Sequence, residues 1–428
     1  MNLRVSRSNK LLPHYRCRSS MYRLAILVVA AATVLTACGS SAVSSTAAKS
    51  SSTTSGGSGK GTPYVIHAIL SETGSATFLG SREKKSIEAL ASDVNSHGGI
   101  DGHPIKLDIL DNQSNPSVGV SLVSGWVSSN VPFILNGSVV GTDKAVDALA
   151  GPNGPLMFDL SPGVQPNAGS FVFSSGVAAG TNIQADLNFL KSKGLTRIAS
   201  ITSTDASGAD GLNQLHKALA LPQFSSFHLL TSQTFDPSSV SVNTQLSVIK
   251  AANPQALIIW TTGTPLGTVL KGMSGLGMEN LPTITTDGNA VNAELTNFAS
   301  VLPKHFYIGT GAYAQPPRSL PSPLSSVIAN FDKVVAQAGG HPNEAWALSG
   351  AAFLIMVSAV KALGVNATAI ELRNYLQTKM KSYTGIFGTY NFSVADHRGL
   401  GLNDSFVVQW NGSAFVPVSG PGGNGSPS

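Results

Sequence analysis

Between Tyr64 and Trp410 the chain alternates short apolar runs with amphipathic stretches, and this rhythm admits few folds. Strands separated by helical patterns are the mark of βαβ units, which build parallel sheets with helices on both faces. Residues 64–70 read as a strand, 71–80 as a Gly-containing loop and 81–96 as a helix with Ile87, Leu90, Ala91 and Val94 on one face. A second strand over 105–110 leads to Asn115 and Pro116, an N-cap and N1 proline for a helix carrying Val118, Leu122 and Trp126. A third strand over 131–135, a helix starting near Thr142, and the runs 156–158 and 171–173 close a first half.

The rhythm restarts after Gly176. Helices over 179–193, 209–220, 241–252 and 265–276 alternate with strands over 197–202, 227–233, 256–260 and 283–285. Longer helices follow over 323–338, 344–363 and 370–380, then short strands over 390–392 and 406–410, with Trp260 and Trp346 read as core. The roughly 355 residues from Tyr64 to Val418 are enough for two domains.

The amino terminus reads differently. Basic residues precede an apolar run over 24–37, which ends in Leu35-Thr36-Ala37-Cys38. Its 14 residues fall short of the roughly 20 that a spanning helix needs, and small residues before a cysteine make it a bacterial lipoprotein signal. Residues 1–37 are therefore expected to be a signal peptide, and Cys38 the lipidated first residue of the mature chain. Met21-Tyr22-Arg23 could by itself begin such a leader. Residues 38–63, rich in Ser, Thr, Gly and Ala, read as a disordered tether, and 419–428 as a disordered tail.

Six of the 27 Lys and Arg lie in residues 1–38, where there is no acid, which leaves 21 basic against 22 acidic residues. A near-neutral mature chain without a basic run has no footprint for nucleic acid. Cys17 and Cys38 are the only cysteines, so one mature chain can form no disulfide.

Three segments occur in order at close spacing: Thr73-Gly74-Ser75-Ala76-Thr77-Phe78-Leu79-Gly80, Asp93-Val94-Asn95-Ser96-His97-Gly98-Gly99-Ile100-Asp101-Gly102 and Asp111-Asn112-Gln113-Ser114-Asn115-Pro116. Near the other end stand Gly385-Ile386-Phe387-Gly388-Thr389-Tyr390-Asn391-Phe392 and Asp396-His397-Arg398-Gly399. Together they resemble the periplasmic substrate-binding proteins of the branched-chain amino-acid (leucine/isoleucine/valine-binding) type, the ligand-capturing components of ABC transporters. The resemblance covers about residues 64–418. It implies an α/β chain of the type I periplasmic-binding-protein fold, two doubly wound parallel-sheet lobes joined by a three-segment hinge, with ligand between them. Crossovers near Gly176, Thr310-Gly311 and Thr384-Gly385 would make residues 64–176 and 311–384 one lobe, and 177–310 and 385–418 the other.

Candidate ligand contacts follow from the resemblance. The loop Gly137-Ser138-Val139-Val140-Gly141-Thr142 resembles the family's carboxylate clamp, with Ser138, Gly141 and Thr142 as contacts, because backbone N–H groups at a helix N-terminus attract anions. Gly141 falls where the family usually has Ser. Ser161, in Ser161-Pro162-Gly163, is the second clamp element, without the Thr or Ser that amino-acid binders favour near Gly163. Asp287 stands where an acid pairs with a ligand's ammonium, which would complete a trap for a zwitterion. Ser207-Gly208 replaces a Tyr-Gly pair, and Gly263 replaces an aromatic wall, while Phe78 or Leu79 can supply an apolar wall. Each hydroxyl also reads as an ordinary cap and Asp287-Gly288 as an ordinary turn.

The nine histidines have no metal-ligand spacing, and no nucleophile elbow occurs, so neither an enzyme nor a metal or cofactor is expected. The expected function is an extracytoplasmic lipoprotein, anchored to the cell membrane through Cys38. It would bind a small polar ligand, an amino acid or related amide or carboxylate, and deliver it to an ABC permease. A ligand sensor of the same fold, signalling to a membrane receptor, is the alternative.

Overall fold

The computed structural model describes residues 61–427, so the expected leader, Cys38 and most of the tether lie outside the described residues. The first-half rhythm folds as β1 (Tyr64–Leu70), α1 (Thr77–Ser96), β2 (Ile105–Asp111), α2 (Pro116–Ser128), β3 (Phe133–Asn136), α3 (Val140–Asp147), β4 (Leu156–Asp159) and β5 (Val172–Ser174). The strands form one parallel sheet in the order β2-β1-β3-β4-β5. Asn115 caps α2 as its sequence suggests, its side chain accepting from Ser117 N at 2.9 Å.

The second half continues with α4 (Ala179–Ser192), β6 (Arg197–Ser203), α5 (Ala206–Leu219), β7 (His228–Phe235), α6 (Asn243–Ala252), β8 (Ala256–Trp260), α7 (Thr264–Gly275), β9 (Thr283–Thr285), α8 (Asn292–Asn297) and β10 (Phe306–Gly311). The chain then returns to the first lobe through α9 (Leu324–Gln337), α10 (Glu344–Leu363) and α11 (Ala369–Thr378), followed by the small hairpin β11 (Tyr383–Thr384) and β12 (Thr389–Tyr390). Finally β13 (Ser405–Trp410) and β14 (Phe415–Pro417) add antiparallel strands to the second sheet, whose order is β14-β13-β10-β9-β8-β6-β7. The two lobes are thus doubly wound α/β layers of the type I periplasmic-binding-protein architecture.

Helix α10 is apolar enough to cross a membrane by length and composition, with mean hydropathy 1.7 over its best window. It is instead a core helix: Trp346, Phe353, Ile355, Met356 and Val360 are buried in the first-lobe core with Ile87 and Leu90 of α1.

Several expectations are corrected. Helix α1 begins at Thr77 rather than 81, because Gly80 lets the helix backbone pass over Ser71; a Cβ there would meet the Ser71 carbonyl oxygen at 2.2 Å. The strand β10 was not legible in its sequence, since Gly309 and Gly311 interrupt the apolar run. Gly309 makes room for Asp186, whose Oδ1 would lie 2.5 Å from an added Cβ. Residues 385–400 do not pass directly into the second lobe. Ile386, Phe387, Tyr390, Phe392 and Leu400 join the first-lobe core, so the return lies nearer Gly401 than Gly385. The tail expected to be disordered is packed as far as it is described: Ser419 is buried and accepts from Val407 N at 2.8 Å, while Gly422 O accepts from Asn188 on α4 at 2.9 Å.

Candidate functional site

In each sheet the strand order reverses at one point, between β1 and β3 in the first and between β6 and β8 in the second. Loops leaving the carboxyl ends of strands diverge at such a point and leave a crevice. The two crevices face each other and enclose a cavity of about 470 Å³. Its first-lobe wall comes from Phe78 and Leu79 in the first turn of α1, from residues 138–141 after β3, and from 161–163 after β4. Its second-lobe wall comes from 205–207 after β6, Trp260 and Thr262 at the end of β8, and 286–288 after β9.

The lobes touch on both sides of this cavity. Leu79 packs in a small apolar cluster with Val291 and Ala345, joined by Phe78 and Val139. A Cβ added at Gly263 would come within 3.0 Å of the Phe78 ring. On the other side, a Cβ at Gly163 would lie 3.7 Å from Oδ2 of Asp210, on α5. The cleft is therefore closed, and Phe78 from the first lobe fills the space left open by glycine at 263.

Of the residues expected at the site, Phe78, Ser138, Gly141, Ser161, Ser207 and Asp287 line the cavity. Thr142 does not. It is buried as the third residue of α3, where its hydroxyl faces Val139 O at 2.8 Å and Asp143 Oδ1 at 3.2 Å. Ser207 lies in the first turn of α5, which begins at Ala206 rather than 209 because Asp205 caps it, accepting from Gly208 N at 2.8 Å. Trp260, read from sequence as core, is buried and also lines the cavity.

Beneath the clamp loop lies an acid that the sequence reading passed over. Glu83 is fully buried on α1, and Ser138 Oγ donates to its Oε2 while accepting from Ser71 N at 3.2 Å. Burial pushes the Glu83 carboxyl up to about 8, against the opposing effect of the Ser138 bond. A signal was available, since Glu83 shares the α1 face of Ile87 and Leu90, at spacings of four and seven. Nearby, Asp143 Oδ2 accepts from Ser161 N at 3.2 Å, and Asn136 donates to both Asp147 Oδ1 (3.2 Å) and Asp159 Oδ1 (2.8 Å). Burial, then the charge of Asp147, holds Asp143 well above the usual carboxylate range; burial raises Asp147 to about 6.

Asp287 opens a short 3₁₀ turn over Asp287–Asn289 and is 1 % exposed. It accepts from Thr286 Oγ1 at 2.8 Å, Gly288 N at 2.9 Å and Asn182 Nδ2 at 2.7 Å. Burial raises its carboxyl to about 6, opposed by these donors and by the positive charge of Arg398. Arg398 is itself buried, and its guanidinium donates to the carbonyls of Gly176, Pro162 and Val164.

A profile describing periplasmic binding proteins matches residues 63–414. The chain belongs to the periplasmic binding protein family. Among relatives, a Leu/Ile/Val-binding protein homolog 2 from Brucella abortus is 30% identical over 91 residues, which is 21% of this chain and 24% of that protein. The match therefore spans about a quarter of that relative's length. Among solved structures, an extracellular ligand-binding receptor from Rhodopseudomonas palustris HaA2 superposes with a TM-score of 0.71 at 19% identity, over 83% of this chain and all of that one. The branched-chain amino acid transporter substrate binding protein LivJ from Streptococcus pneumoniae, in complex with isoleucine, gives 0.68 at 18% identity, covering 82% and 97% of the two chains. The leucine binding protein LivK from Thermotoga maritima gives 0.68 at 19% identity with the same coverage. Among the described residues no group of three His, Cys, Asp or Glu side chains is placed to hold a metal ion.

Proposed function

We propose that this protein is an extracytoplasmic solute-binding lipoprotein. It captures a small ligand, an amino acid or a related amide or carboxylate, between its lobes and delivers it to an ABC permease. The observation that carries this reading is the enclosed cavity of about 470 Å³, which lies at the strand-order reversals of both sheets and is walled by both lobes. A cavity of that size accommodates a metabolite and excludes a polymer. Support comes also from the family match and from the relatives, of which LivJ holds isoleucine. Binding would proceed by hinge closure, the cavity walls being brought together from opposite lobes. Cys38 would carry the membrane anchor.

The test is mass spectrometry of small molecules released from the purified, denatured protein, followed by calorimetry of each with ligand-free protein. The expected result is one compound of cavity size, whose return raises the melting temperature and compacts the protein in small-angle scattering. Absence of any released or rebinding compound, with an unchanged radius, would reject the reading.

A further inference from the structure

We propose that Glu294 is a closure-linked acid: the two lobes bury its carboxyl between them when they close, so the closed form is favoured in acid and gives way as pH rises. The proposal rests on the reading that the lobes open and close around a ligand. Glu294 lies on α8 of the second lobe, is 8 % exposed and does not line the cavity. Val291, just before α8, packs against Leu79 of the first lobe with Phe78 beside it. The Glu294 Oε1 would lie 3.7 Å from a Cβ on Gly263, the same point that the Phe78 ring reaches at 3.0 Å. Its Oε2 is buried and has no hydrogen-bond partner among the described residues. A carboxylate in that position has lost its hydration without finding a donor, whereas the neutral acid tolerates it. Parting the lobes would draw Phe78 and Leu79 away from α8 and return the carboxyl to water.

The surrounding charges do not replace the lost water. Helix α1 of the first lobe brings Arg82, but its Nη1 donates to Phe78 O at 2.7 Å, and its positive charge reaches Glu294 through space. Also on α1, Glu83 accepts from Ser138, and Lys84 donates to Glu72 at 2.7 Å. On α10, Glu344 accepts from Thr310 Oγ1 at 3.3 Å. Lys85, Glu88, Lys271, Lys304 and His341 on the neighbouring segments are exposed, and α8 has no second charged residue. Burial accordingly raises Glu294 from 4.5 to about 7, against the effect of Arg82. In the open form the exposed carboxyl keeps its ordinary value, so between about 4.5 and 7 the closed form holds a proton that the open form has lost. Closure is therefore favoured most below about 4.5, and that advantage is lost as pH rises through about 7.

The test measures the distance between lobes in the ligand-free full chain. Spin labels are placed at Ser117→Cys on α2 and Thr244→Cys on α6, both exposed and one on each lobe. The ratio of closed to open distances should fall by roughly tenfold or more from about pH 5 to about pH 8. Glu294→Gln keeps the shape without the charge, and its ratio should stay level across that range. A fall of equal size in Glu294→Gln would overturn the proposal, since other groups would then carry the pH dependence. One unchanging distance at every pH in both proteins would overturn it too. Solute binding would still be judged separately, by the compound released from the denatured protein. Arg82→Met removes the opposing charge and should move the fall to higher pH; a fall at the same pH would overturn the part given to Arg82.

Discussion

Asn182 of α4 links Asp287, just after β9, to Ser405 at the start of β13. Its Nδ2 donates to Asp287 Oδ2 at 2.7 Å, and its Oδ1 accepts from Ser405 Oγ at 2.6 Å, at the start of β13. The amide orientation is therefore set by two partners, and Asp287 accepts from it as well as from Thr286 Oγ1 and Gly288 N of its own turn. The carboxylate that lines the cavity is thus a structural acceptor as well as the ligand group the resemblance implies.

Asp287→Asn is accordingly expected to weaken both folding and binding. Its new amide would direct N–H groups at one of three existing donors, which costs about 1–3 kcal/mol of stability. Chemical denaturation measures that loss. If the ligand is cationic, losing the charge should also cost on the order of 2–5 kcal/mol of affinity, tens- to thousands-fold, by calorimetry. Unchanged stability would mean that the three donors find other partners.

Glu83 sets a dependence of stability on pH. Its carboxyl is raised from 4.5 to about 8, so between those values the folded chain keeps a proton that the unfolded chain has lost. Its contribution is most favourable below about 4.5 and is lost as pH rises through about 8. Glu294, raised to about 7, and Asp147, raised to about 6, act in the same direction. Glu83→Gln should match the wild type at low pH and exceed it by on the order of 2–4 kcal/mol near pH 9, in urea titrations at each pH. Parallel pH profiles for the two proteins would contradict this account of Glu83.

Gly263→Ala should oppose closure. Gly263 has φ +70°, which a side chain rarely adopts, and its added Cβ would press on the Phe78 ring at 3.0 Å. Affinity is expected to fall roughly tenfold, with a larger radius at saturating ligand. Made in a Phe78→Ala background, the same change should cost less, because the steric part is gone. Equal costs in the two backgrounds would show that backbone strain alone is responsible.

If Cys38 carries the anchor, Cys38→Ala should release the protein from membranes, since α10, the one candidate span among the described residues, is a core helix. Fractionation after a salt wash, with palmitate labelling, measures this. Retention of the variant in the membrane fraction would place the anchor elsewhere.

What was legible in the chain was whatever local pattern decides. The N-cap at Asn115, the bounds of α10 at Glu344 and Leu363 and the opening of α4 at Ala179 stand where the sequence puts them. Where a local pattern was overridden, a distant atom did it. Gly80 looked like loop because glycine weakens helices, yet it is the residue that allows α1 to cross Ser71. Ser207 looked like a loop contact, yet it lies inside a helix capped by Asp205.

The sequence by itself determined the order of most strands and helices, α8 and β10 excepted, because apolar periodicity is set by which face of each element must leave water. It also carried the family motifs and most of the loops that line the cavity. The tertiary structure alone decided which polar groups those loops have left to offer. Ser138 faces Glu83 across 55 positions, Asp287 faces Asn182 across 105, and Arg398 reaches Gly176 across 222. No local pattern encodes such pairs. They arise because a buried polar group must find its partner wherever the packed chain brings one, and that choice sets which polar groups the cleft leaves unpaired.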